Sequence, residues 1–144
     1  MFAQQVRILP MDLRKRGFGL SQAQKAELTQ NLNIIINCAG TRVRNTSLEE
    51  AVRINVTGPL QLLKLAEECP QFESFLQVSS AYVNADRTGY LHEKIYESKK
   101  NWANDYEKIT NSRKTEISYN EKLFMGAFPN SMSYTKSMAE HLLV

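Results

Sequence analysis

The chain has 144 residues, of which 42% are hydrophobic and 23% are charged, and its formal net charge is +3. This balance excludes a disordered tail, and no apolar run approaches the roughly 18 residues of a membrane span. The basic patches at residues 14–16 and 99–100 are too small to indicate a nucleic-acid partner. The spacing of Cys38 and Cys69 fits neither a zinc site nor a disulfide framework. Both cysteines are predicted to be buried as small apolar residues.

The N-terminal part of the chain predicts a strand followed by a helix. Residues 6–9 form a short aliphatic run that Pro10 ends, which predicts a first strand. A glycine-rich turn around Gly17 follows. Ser21 with Gln24 three residues later has the pattern of a capping box, so a polar helix of about ten residues should begin there.

The next segment repeats the alternation of strand and helix. Residues 33–38 are apolar and β-branched, which is typical of a parallel strand covered on both faces. Ser47 begins a helical stretch that extends to about Glu68, and residues 57–59 should bend or loosen it. Residues 72–78 predict a third strand. Such alternation predicts βαβ units, a parallel sheet of about three strands and an α/β fold.

After this point the sequence changes in character. Residues 86–128 are polar and irregular, and a stretch of this length in a compact domain is usually an insertion or a lid. Helical pieces are predicted near residues 93–104 and 119–125. A last helix should begin around residues 129–131 and run to Leu143.

Five segments, taken in order, carry a family resemblance. They are MDL at 11–13, NIIINCAGT at 33–41, EAVRINVTGPLQLLKLA at 50–66, FLQVSSAYVNAD at 75–86 and PNSMSYTKSMAEHLL at 129–143. Together they resemble the extended short-chain dehydrogenase/reductases, and among these the fatty acyl-CoA reductases with their male-sterility-type NAD(P)-binding domain. The resemblance implies a single Rossmann-like domain over residues 1–144, incomplete at both ends, with residues 86–128 inserted.

The resemblance implies a set of cofactor-binding residues. Asp12 and Leu13 would lie beside the adenine, Ala39 and Gly40 would let the dinucleotide approach the end of the second strand, and Lys136 would bind the ribose hydroxyls. On the residues alone, Asp12 is equally compatible with a cap of a turn or helix. Ala39 and Gly40 are likewise compatible with an ordinary turn after a strand.

The resemblance also implies a catalytic set. Ser80 would hydrogen-bond the substrate carbonyl, Asn55 would hold a water, and Lys136 would lower the pKa of a tyrosine four residues earlier that donates a proton. That position is occupied by Met132, whose thioether cannot donate a proton. Tyr134 lies only two residues before the lysine, on another side of the helix, and is predicted to be a packing residue. On the residues alone, Asn55 is compatible with a polar residue in a bent helix.

The implied activity is the NADPH-dependent reduction of fatty acyl-CoA. The glycine-rich phosphate turn that the family places before MDL is missing from these 144 residues. We therefore expect that this chain alone binds NADPH poorly and that its catalysis is impaired. The alternative is a non-catalytic structural or assembly subunit whose protein partners cover the truncated sheet. An incomplete sequence is a third explanation, and without a leader or membrane segment both the cytoplasm and an organelle stay open.

Overall fold

The computed structural model describes residues 5–43 and 46–144. A short 3-10 turn at Arg16–Gly19 precedes the regular elements. The described elements in chain order are α1 (Gln22–Asn31), β1 (Ile34–Asn37), α2 (Leu48–Val52), a π-helical segment (Arg53–Thr57), α3 (Gly58–Glu67), β2 (Ser74–Gln77), α4 (Trp102–Asn111), α5 (Lys114–Met125) and α6 (Ser131–Leu142). None of the helices in these two ranges has the length and apolar character needed to cross a membrane.

The fold is mixed α/β, with a parallel sheet as predicted. β1 and β2 pair from Ile34 opposite Ser74 to Asn37 opposite Gln77. The helical stretch from α2 to α3 connects them, which gives one βαβ unit of a partial Rossmann-like fold. Because both strands run in the same direction, their carboxyl ends lie at one edge of the sheet.

The first predicted strand, over residues 6–9, is absent from the described part of the chain, so that expectation is wrong. In the described part of the chain this segment pairs with neither strand, and the Ile8 side chain is 88% exposed. A strand needs a neighbouring edge for its backbone hydrogen bonds, which a local apolar run cannot supply.

Only one face of the sheet is covered by described residues, contrary to the prediction that the strand at residues 33–38 is buried on both faces. Ile35 packs against α3 through Leu62, Leu65 and Ala66. The opposite face carries Ile34 and Ile36, which are 52% and 63% exposed, and beside them Leu76 and Val78. We refer to these last four residues as the open sheet face.

The predicted helix starts near Ser21 and Ser47 are confirmed. Ser21 and Gln24 form a reciprocal capping box at α1, and the Ser47 hydroxyl accepts from the Glu50 backbone N–H at α2. These local bonds satisfy backbone donors that a helix N-terminus otherwise leaves unpaired.

The predicted irregularity around residues 57–59 is a π-helical segment. Pro59 has no N–H and its ring crowds the carbonyl four residues earlier, which belongs to Asn55. The backbone widens over Arg53–Thr57, and the Gly58 N–H bonds the Arg53 carbonyl instead. This widened turn contains the buried side chain of Asn55.

The region 86–128 is partly helical, but its helices are displaced from the predicted positions. The first predicted piece, at residues 93–104, is wrong for most of its length because α4 begins only at Trp102. The second piece falls inside the longer α5. α4 and α5 pack their apolar sides against α2 and α6, in a core formed around Trp102, Ile109, Ile117 and Tyr134.

Candidate active-site cleft

A cleft of about 1210 Å³ opens at the carboxyl ends of the two strands, where α6 passes beside them. Its walls combine the loop after β1, the loop after β2 and two positions of α6. The lining residues are 38–43, Ile54, 78–80, Tyr82, Met132 and Lys136. Ligands of open parallel sheets bind at this edge, so the position is that of a substrate or cofactor site.

Gly40 lines the cleft where its backbone packs closely against two polar side chains. A Cβ atom at this position would lie 2.9 Å from Asn55 Oδ1 and 3.1 Å from Lys136 Nζ. Any larger residue would therefore displace one of the two polar side chains. Glycine is required here by close packing.

Asn55 ties the π-helical segment to the loop beside Gly40. Its Oδ1 accepts from the Thr41 backbone N–H at 2.9 Å. Its Nδ2 donates to the Thr41 carbonyl at 3.2 Å and to Thr135 Oγ1 on α6 at 3.0 Å. The side chain is buried and its hydrogen-bonding groups are engaged with protein atoms. Asn55 therefore holds the loop after β1 against α6.

Lys136 brings an amine into the cleft from α6. Its Nζ donates to the Val78 carbonyl at 3.2 Å, and the residue is 7% exposed. Burial lowers the pKa of the Lys136 ammonium, and the charge of Glu140 one helical turn later opposes that effect. Among the residues that the structure describes, Lys136 has no carboxylate in ion-pair contact.

Two serines reach the cleft from the loop after β2. The Ser80 Oγ accepts from the Tyr82 backbone N–H at 3.2 Å, which leaves its proton available to an acceptor in the cleft. The Ser79 Oγ is buried and has no hydrogen-bond partner in the described part of the chain. The Ser80 hydroxyl is thus able to donate to a ligand oxygen.

Met132 and Tyr134 occupy different environments on α6. Met132 lines the cleft one helical turn before Lys136, at the position where the resemblance places an acidic tyrosine. Tyr134 has no exposed surface, and its hydroxyl donates to Asp105 Oδ2 at 2.9 Å. The prediction that Tyr134 is a packing residue is confirmed.

Asp12 and Leu13 are not among the residues that line this cleft. The Asp12 carboxylate accepts hydrogen bonds from the Arg14 guanidinium and backbone N–H, which lowers its pKa to about 2. Leu13 packs against Gly58, where a Cβ atom would lie 2.8 Å from the Leu13 Cβ. The role expected for these two residues beside an adenine stays a prediction.

The sequence interpretation missed several members of the cleft. Cys38 is exposed and lines it, so the prediction that this cysteine is buried is wrong, whereas Cys69 is buried as expected. The sequence did contain a signal that Cys38 is a cleft residue, because Cys38 directly follows the end of β1. Arg42, Ile54 and Tyr82 had no sequence signal of their own.

Comparison with known proteins places the whole chain in one family. A family of NAD-binding domains described as male sterility protein matches residues 1–144. Among relatives, fatty acyl-CoA reductase 2 of Mus musculus is 34% identical over 95% of this chain and 26% of its own length. Fatty acyl-CoA reductase 1 of Gallus gallus is 32% identical over 99% of this chain and 27% of its own length. A putative fatty acyl-CoA reductase of Drosophila melanogaster is 26% identical over 92% of this chain and 25% of its own length. The chain thus spans about a quarter of these relatives.

Proposed function

The chain belongs to the male sterility family of NAD-binding domains, and we propose that its cleft holds the nicotinamide end of NADPH beside a fatty acyl-CoA thioester. The observation that carries this proposal is the meeting of Ser80, Gly40 and Lys136 at one cleft, although they are far apart in sequence. The relatives' printed names supply the substrate class.

The chemical groups in the cleft fit part of a dinucleotide. Gly40 keeps the backbone accessible where a side chain would fill the space, as close approach of a ribose requires. The Lys136 ammonium is a donor for ribose hydroxyls. The sequence contains no glycine-rich turn for the pyrophosphate. We therefore propose weak cofactor binding by this chain alone.

Ser80, Lys136 and Asn55 each have a definable task in a reduction. Bound NADPH would supply a hydride equivalent to the thioester carbonyl carbon. Ser80 would donate a hydrogen bond to the carbonyl oxygen and orient it. Lys136 would hold ribose hydroxyls, and Asn55 would fix the loop beside Gly40. Met132 offers no proton to the oxygen, so we propose that catalysis is impaired at this step.

Restoring a phenol tests this proposal. We expect Met132→Tyr to raise NADPH oxidation with palmitoyl-CoA, by up to about 10²–10⁴-fold, which is the usual contribution of a general acid. Met132→Leu is the matched control, because it changes the side chain without adding a proton donor, and it should leave the rate unchanged. The readout is the single-turnover decay of NADPH absorbance. No gain in a Met132→Tyr protein that still binds NADPH would contradict the proposed role of this position.

A second candidate function is that of a non-catalytic assembly module. The open sheet face favours it, because Ile34, Ile36 and Leu76 are each half or more exposed. Contiguous apolar surface of this kind marks protein interaction sites. Native mass spectrometry with and without NADPH separates the two functions. A stable assembly insensitive to NADPH supports the module, and a free chain that gains one cofactor mass supports the reductase.

A further inference from the structure

We propose that Lys136 is a self-acylation site, at which its side-chain amine takes the acyl group of an acyl-CoA thioester. The inference rests on the proposed function for the substrate class, but it requires neither NADPH nor turnover. It assigns to this lysine a covalent chemistry that differs from holding a ribose.

The surroundings of the amine favour its nucleophilic form. Lys136 Nζ has the Val78 carbonyl as its hydrogen-bond acceptor, and no ion pair with a carboxylate is found in residues 5–43 and 46–144. A buried ammonium without a counter-charge loses hydration, which favours the neutral amine. The burial that lowers the pKa of Lys136 therefore raises the reactive fraction near neutral pH.

The other titratable groups around the cleft do not reverse the shift of Lys136 toward the neutral amine. Cys38 and Arg42 line it from the loop after β1, and Tyr82 lines it from the loop after β2. Arg42 adds a positive charge to the cleft, which suits the phosphates of coenzyme A. Glu140 on α6 is the carboxylate whose charge opposes the shift.

The position of Met132 directs a bound thioester toward the amine. Met132 and Lys136 are four residues apart on α6, and both line the cleft, so they share one helix face. Ser80 stands on the loop opposite and donates to a carbonyl oxygen. A thioester carbonyl placed between Ser80 and Met132 meets no phenol on α6, and the nucleophile that α6 contributes to the cleft lining is the Lys136 amine.

The reaction balances without a further reagent. The ammonium of Lys136 first loses a proton to solvent. The amine then attacks the thioester carbonyl carbon, a C–N bond forms, and the C–S bond breaks. The leaving sulfur takes one of the two amine protons and the other stays on the nitrogen, so the products are a secondary amide on Lys136 and free coenzyme A. Aminolysis of a thioester is downhill, and the product amide is stable to digestion and mass mapping.

The experiment uses the full chain with palmitoyl-CoA and no NADPH. After incubation near neutral pH, peptide mass mapping should find the acyl group on Lys136 at higher occupancy than on the exposed Lys15, Lys64 and Lys99, because burial favours the neutral amine of Lys136. Labelling of Lys136 should also persist to lower pH than labelling of a free lysine in a model peptide. Lys136→Arg keeps a positive charge without a nucleophilic amine and should abolish the label on this peptide.

The outcomes separate this inference from the proposed function. A thioether analogue of palmitoyl-CoA, which cannot transfer its acyl group, measures binding in parallel by its effect on the NMR signals of Ser80 and Gly40. If the analogue binds and Lys136 stays unlabelled, or the label lies on Ser79, Ser80 or Cys38, self-acylation of Lys136 is wrong while the acyl-CoA site stands. If the analogue does not bind, both are wrong. Because the wild-type chain gives these results, the test holds even if Lys136→Arg fails to fold.

Discussion

At the scale of single residues, Tyr134 shows how the aromatic side of α6 is held. Its ring lies 5.3 Å from that of Trp102 and 5.6 Å from that of Phe128. Its hydroxyl donates to Asp105 Oδ2, and Lys100 Nζ lies 3.7 Å from the same oxygen and 5.2 Å from the Tyr134 ring. The phenol thus joins α6 to α4 by both packing and a charge-assisted hydrogen bond.

Removing the Tyr134 hydroxyl should lower stability and change its pH dependence. We expect Tyr134→Phe to cost about 1–2 kcal/mol of unfolding free energy at neutral pH, because Asp105 loses a buried donor. Burial first, and then the Asp105 charge and hydrogen bond, raise the pKa of Tyr134 above its ordinary value of 10.0. The folded protein therefore keeps this proton where the unfolded chain releases it. The stabilisation is present below pH 10.0 and is lost progressively as the pH rises above it.

Urea unfolding on both sides of that pH measures the effect. The wild-type chain should lose more stability than Tyr134→Phe between neutral and strongly alkaline pH. Tyr119→Phe is the matched control, because Tyr119 is highly exposed and on α5, and it should follow the wild-type curve. Parallel curves for wild type and Tyr134→Phe would show that the phenol does not couple its ionisation to folding.

At the scale of elements, the π-helical segment connects the sequence to the shape of the cleft. Pro59 interrupts the regular hydrogen-bond ladder at Asn55, and the widened turn places the Asn55 amide between Thr41 and Thr135. Three separate parts of the chain are thereby fixed by one side chain. A regular helix would present this residue at a different angle.

A double-mutant cycle tests that coupling. We expect Asn55→Ala to cost about 1–3 kcal/mol, because it leaves the Thr41 backbone groups without their side-chain partner. Thr135→Val removes the hydroxyl that accepts from Asn55 while keeping nearly the same shape. Their effects should be non-additive by about 0.5–3 kcal/mol in unfolding free energy. Asn111→Ala, on the exposed end of α4, is the control and should change stability little. Strict additivity would mean that the Asn55–Thr135 bond contributes nothing.

Elements with local signals were predictable from the sequence, and those that depend on distant partners were not. The Ser21 and Ser47 caps and the effect of Pro59 act within one or two helical turns. Residues 6–9 have strand composition, but pairing depends on an edge elsewhere in the chain. The start of α4 had a local signal that was overlooked, since the Asn101 side chain accepts from the Asn104 backbone N–H as an N-cap.

The same division applies to the cleft. The family resemblance predicted Ser80, Gly40 and Lys136 as site residues. The parallel order of the strands explains why they line the same cleft. The hydrogen bonds from Arg14 to Asp12 and the exposure of Cys38 depend on loop geometry that no spacing rule encodes. Sequence reasoning therefore locates the edge of a site better than its side-chain contacts.

At the scale of the whole molecule, apolar burial is uneven. One core packs α2, α4, α5 and α6 around Trp102 and Tyr134, and a second packs α3 against Phe18 and Ile35 on the covered side of the sheet. The open sheet face has no such cover among described residues. Neither core includes a residue of the open sheet face, so that face combines apolar composition with exposure.

Making the open sheet face polar should reduce self-association without unfolding the chain. Ile36 and Leu76 are opposite each other in the sheet register and are 63% and 50% exposed. We expect the double substitution Ile36→Thr and Leu76→Thr to lower the weight-average mass in sedimentation equilibrium toward that of one 16.5 kDa chain. Threonine keeps strand propensity, so the unfolding free energy should change by less than about 1 kcal/mol.

Ile35→Thr is the matched control on the covered face, where a buried hydroxyl should cost about 1–3 kcal/mol of unfolding free energy. An unchanged mass in the double variant would contradict self-association through the open sheet face. A wild-type chain that is already monomeric would show that copies of this chain do not pair through that face, which would leave a different protein as the partner of an assembly module.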